Sequence, residues 1–117
     1  MKINTVNITL YQGDDIEVNI RLLEDGVAAV LNVADAKITI VPVQSRVKGN
    51  PTNIDLALNN GITFNNEIVT ILFAGNKTKD WSGIGLADLV IQTDQGVWTT
   101  LFRMNINILE QYSNQYV

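Results

Sequence analysis

The 117-residue chain contains no cysteine and no histidine. Without imidazole there is no Ser-His-Asp arrangement and no ring-nitrogen base, and without thiol there is no thiolate nucleophile and no usual zinc ligand set. Disulfides are excluded as well, so cysteine usage does not distinguish cytosol, virion or cell exterior. Only 17% of the residues are charged, the net charge is -4, and basic residues such as Lys37, Lys77, Lys79 and Arg103 stand singly. A phosphate backbone calls for clustered cations, so nucleic acid is not an expected partner. No apolar run approaches the ~18 residues of a membrane span, and "MKINTVNITLYQGDD" has no long apolar stretch behind its lysine. The expectation is a soluble chain without a signal peptide or membrane contact, of a size that buries its own core as one domain.

What the chain has in quantity is alternation. In "VNITL" the apolar set is Val6, Ile8 and Leu10; in "DIEVNIRLL" it is Ile16, Val18, Ile20 and Leu22, with Glu17, Asn19 and Arg21 between them. A period of two is that of a half-buried strand. "AKITIVPV" continues it with Ile38 and Ile40 on one side, and Pro42 near its end points to an edge position or a bulge. "VAAVLNVADA" reads as an irregular crossing segment, and "QSRVKGNPTN" as a loop. Short runs, "IDLAL", "ITF" and "IVTILFAG", are separated by the turns "NNG" and "NNE", the pattern of hairpins.

The clearest hairpin joins "LADLVIQT" to "VWTTLFRMNINIL" through "DQG", where Gly96 supplies the positive φ of a short turn. On its second strand Trp98, Phe102, Met104, Ile106 and Ile108 share one parity, so Trp98 is expected in the core with Phe102, Met104 and Ile106. Trp81 lies in the connection "KDWSGIG" and is open to three readings: a cap on one end of the core, a contact with a protein neighbour, or a sugar-stacking ring. Ile84 beside it, and Tyr112 and Tyr116 in the polar end "EQYSNQYV", join Trp81 as candidate interface residues. Taken together these elements predict an all-β fold, an antiparallel two-sheet β-sandwich of immunoglobulin-like architecture with about seven or eight strands. A small barrel is the alternative. The domain is expected over residues 1–110, with 111–117 a polar tail or docking arm.

For chemistry, acids and lysines remain, and most acids fall in turns, where Asp serves backbone hydrogen bonding. "GDD" followed by Glu17 lacks the regular ligand spacing of a calcium loop, and "GIG" is not followed by a helical pattern. No catalytic residue, cofactor or metal is assigned.

The order of "GDDIEVNIRLLEDG", "LNVADAKITIVPV", "IVTILFAGNKTKDW" and "GIGLADLVIQTDQGVWTTLFRMNINIL" resembles the small β-sandwich domain of tailed-phage virion proteins, including the N-terminal domain of lactococcal phage baseplate upper proteins. Leu31 and Ala36 keep that pattern, whereas Asp35 stands where glycine is usual and Leu86 where a tyrosine is. The resemblance spans nearly the whole chain and implies a non-enzymatic structural module. Such a module docks on other virion proteins in tail, baseplate or capsid, as in capsid decoration or a head fibre, in repeated copies or as a homo-oligomer, within a particle assembled in the host cytoplasm. The alternative expectation is a carbohydrate-binding module stacking sugars on Trp81 with Tyr11, Tyr112 or Tyr116.

Overall fold

A computed structural model describes residues 4–45 and 51–110. The chain runs β1 (Asn4–Tyr11), β2 (Ile16–Arg21), β3 (Leu23–Glu24), β4 (Val27–Ala28), β5 (Val33–Ser45), β6 (Ile54–Leu58), β7 (Gly61–Asn65), β8 (Ile68–Phe73), a single helical turn α1 (Gly75–Thr78), β9 (Gly83–Thr93) and β10 (Trp98–Leu109). The fold is all-β, as the alternation predicts. The expected break into two sheets is not what forms. Eight strands make one hydrogen-bonded sheet in the order β1-β10-β9-β5-β6-β7-β8-β2, rolled into a nearly closed barrel, with β3 and β4 as a separate hairpin.

Two features let one sheet turn the corner that a sandwich would leave unpaired. Strand β5 carries register shifts between Val33 and Asp35 and between Pro42 and Gln44, and bulges bend and over-twist the strand that holds them. Between β6 and β7 the chain turns through Asn59 at φ 63° and pairs only at Ala57 with Gly61 and Leu58 with Ile62. That pairing is parallel, as is β1 with β10, register Val6 to Met104 and Leu10 to Ile108. Neither parallel pair is expected from a sequence of hairpins, because parallel neighbours are joined by no local turn signal. Pro42 sits at the expected bulge, and β5 pairs with β6 only from Lys37 to Ile40, so its last residues have β9 as their strand partner.

The core holds Ile38, Ile40, Ile62, Val69, Ile71, Leu89, Met104, Ile106 and Ile108, all fully buried, together with Phe102. Each such side chain stabilises the fold by about 1.5 to 3 kcal/mol. Ile16, Val18 and Ile20 point the same way but are only half-buried. The reason is position: β2 is the last strand of the sheet and has β8 alone beside it.

The ends of the sheet, β1 and β2, are consecutive in the chain, and the turn between them is clasped to the α1 segment. Gln12 Nε2 donates to the Lys79 carbonyl at 2.9 Å, and the backbone N–H of Gly13 donates to Thr78 Oγ1 at 3.3 Å. Asp15 Oδ1 accepts from the Gly75 N–H at 2.6 Å. Here "GDD" acts as a structural turn with Gly13 at φ 85°. The two backbones approach so closely that a Cβ on Gly75 would collide with the Gly13 carbonyl. Gly75→Ala is therefore expected to lower stability by about 2 to 3 kcal/mol, the scale of an overpacked contact, measured as a reduced urea midpoint; an unchanged midpoint would show that the clasp is not needed for closure.

Candidate interaction surface

The two tryptophans exchange the roles that alternation assigns them. Trp98 is 43% exposed, and the Lys37 Nζ lies 4.6 Å from its ring centroid. The cause is a bulge in β10: Thr100 pairs with Val90 and Phe102 with Leu89, so Leu101 is an extra residue with no partner of its own. Leu101 and Phe102 are both buried. Before the bulge the phase is reversed, and Trp98, opposite Gln92, turns outward.

Trp81 is only 1% exposed, and its indole N–H donates to the Thr52 carbonyl at 3.0 Å. The inward positions of β9 begin with Gly85 and Ala87 before reaching Leu89 and Ile91. These small residues leave space beneath the sheet that a large ring can fill. A Cβ on Gly85 would lie 2.6 Å from Ile40 Cγ2 and 3.0 Å from Trp81 Cη2. Of the three readings of Trp81, the cap is the one its burial matches. The clue in the sequence is glycine and alanine at two successive inward positions shortly after the tryptophan.

The outward positions of the same strands form the most distinctive surface among the described residues. On β9 they are Ile84, Leu86, Asp88 and Val90; Val41 of β5 is opposite Leu86, and Val43 is the extra residue of the Pro42–Gln44 bulge. Val41, Val43, Ile84 and Leu86 are each between 39% and 52% exposed. Ile84 is thus an exposed member of an apolar cluster, as an interface residue should be, while Trp81 is not accessible. Tyr112 and Tyr116, with the expected tail 111–117, lie outside the described residues. Val41, Val43 and Leu86 were not singled out by sequence. Their signal was present: β9 is apolar on both parities, the pattern of a strand covered on both faces.

Next to the cluster, Arg103 Nε donates to Asp88 Oδ1 at 3.0 Å and Thr39 Oγ1 to Asp55 Oδ1 at 2.9 Å. Toward β1 the face becomes polar, with Asn105 Nδ2 donating to Asn7 Oδ1 at 3.2 Å. At the far end of β9 a cleft of about 790 Å³ opens between Tyr11, Gln44, Ile84, Asn107 and Glu110. Among the described residues no group of three acidic side chains gathers that could hold a metal ion. The surface has the chemistry of adhesion: apolar side chains, internally paired charges and neutral amides.

No model of a known protein family matches the chain, and no curated protein shows significant similarity to it.

The exchange of roles has a direct consequence for stability. Trp81→Ala should cost about 3 to 5 kcal/mol, whereas Trp98→Ala should cost under about 1 kcal/mol, as an exposed ring with one cation–π partner would. Denaturant titration of the two variants measures this, and acrylamide should quench the emission of the Trp81→Phe protein far more than that of Trp98→Phe.

Proposed function

We propose that the chain is a non-enzymatic structural module of a bacteriophage virion that docks on tail, baseplate or capsid proteins and anchors or presents another component there. The observation that carries this reading is the exposed apolar cluster Val41, Val43, Ile84 and Leu86 on the outer face of β5 and β9. Exposed apolar groups clustered beside paired charges favour contact with another protein. The resemblance of "GIGLADLVIQTDQGVWTTLFRMNINIL" and the preceding segments to phage β-sandwich domains supplies the setting. In that reading the five strands β1-β10-β9-β5-β6 and the three strands β7-β8-β2, joined by the narrow β6–β7 contact, are the counterparts of the two layers of the sandwich. The particle is assembled in the host cytoplasm, and repetition in a symmetric assembly multiplies modest contacts.

A second reading, carbohydrate binding, draws on one observation, the exposed ring of Trp98. It moves the stacking site away from Trp81, whose ring is inaccessible. Lys37 stands over one side of the Trp98 ring, leaving the other for a sugar.

Binding of the labelled chain to purified phage particles, followed by co-sedimentation, tests the leading reading. Saturable binding that Leu86→Arg weakens at least tenfold, a loss of about 1.4 kcal/mol, is expected. Absence of binding to particles and to isolated tail and capsid proteins would sink it. A saccharide-dependent change in Trp98 emission, with no particle binding, would favour the second reading.

A further inference from the structure

We infer that the outer face of β5, β9 and β10 is the interface of a two-fold symmetric dimer, its occupant a second copy of this chain. The inference deepens the docking proposal above, since it concerns the same face, and names what covers that face first.

The placement of charge is the first argument. The chain carries a net charge of -4, so two copies repel over most of their surfaces. On this face, however, the cations stand among the acids: Arg103 is bonded to Asp88, and Lys37 lies on the same outer side, one strand from Asp55 and over Trp98. A partner of strong single sign would find no matching field here. A second copy would. In an isologous contact each patch meets itself, and an Arg103–Asp88 pair beside the axis can exchange partners with its symmetry mate without leaving any charge unmatched. Both side chains are accessible for that exchange.

The geometry of the face is the second argument. Along β9, an antiparallel two-fold through its middle brings the Trp98 and Lys37 end of one copy over the Val41, Val43 and Ile84 end of the other. An aromatic ring then meets aliphatic side chains, and the apolar cluster of each copy is covered twice over. Area is sufficient. Five strands at ~4.8 Å spacing and eleven residues at ~3.3 Å rise give a face of about 24 by 36 Å, roughly 860 Å² in projection, against about 800 Å² per partner in a stable complex. The molecule's dimensions, 44 × 24 × 23 Å, accommodate a face of that size.

Sedimentation equilibrium of the full chain from 1 to 300 µM is the test, with Trp98 emission recorded over the same range. A concentration-dependent rise in mass from 12.9 kDa to twice that value is expected, together with protection of Trp98 from acrylamide. Leu86→Arg should weaken association at least tenfold while leaving the circular dichroism spectrum unchanged; if that variant does not fold, Val41→Lys provides the same measurement. A chain that stays monomeric throughout, or a dimer whose affinity neither variant alters, overturns the inference. The docking proposal fails separately: a monomer that binds particles leaves it standing, and a dimer with no affinity for any virion protein removes it alone.

Discussion

One extra residue in β10, Leu101, determines which way half of the longest hairpin faces. Because strand side chains alternate strictly, an unpaired residue reverses the phase of everything on one side of it. From Phe102 onward the inward set is Phe102, Met104, Ile106 and Ile108, and these fill the barrel. On the other side of Leu101 the same parity points out, and Trp98 becomes part of the surface. The apolar interior and the exposed outer face are thus two products of a single register. The bulge at Pro42–Gln44 acts similarly on β5, adding Val43 to the outer cluster beside Val41.

Closure of the barrel rests on complementary small and large residues. Gly85 and Ala87 thin the inner side of β9, and Trp81 occupies the volume they leave, with Ile40 against the same glycine. Its only polar atom is satisfied by the Thr52 carbonyl, which removes the cost of burying an indole N–H. At the other junction, the β1–β2 turn is held to α1 by Gln12, Gly13 and Asp15. These contacts restrain the two ends of the sheet where no strand pairing joins them. The half-burial of Ile16, Val18 and Ile20 marks the same seam from inside.

The outer face links fold to function. A central strand whose outward positions are Ile84, Leu86 and Val90 has more apolar surface than a solvated strand requires, and the neighbouring charges are already matched within the chain. Such a surface suits association with protein better than catalysis, which would draw on converging acids or nucleophiles. The proposals of a virion module and of a self-associating face both follow from this distribution. Sugar stacking depends instead on the single exposed ring of Trp98.

The strands themselves were legible in the sequence. Val6, Ile8 and Leu10, the "DIEVNIRLL" run and the "DQG" hairpin are local patterns of period two and turn chemistry, which act within a few residues and therefore survive in a one-dimensional reading. The inward placement of Ile38, Ile40, Met104 and Ile106 follows from the same local period. Three features were decided only in three dimensions. The parallel pairing of β1 with β10 joins residues about a hundred positions apart; the rolling of one sheet into a barrel depends on bends at the β5 bulges and at Asn59; and the exchange between Trp81 and Trp98 depends on Leu101 having no partner on β9. Parity along one strand cannot reveal an extra residue, because a bulge is defined by the opposite strand. The chain alone therefore set the material of the fold, and pairing across strands decided which side chains became core and which became surface.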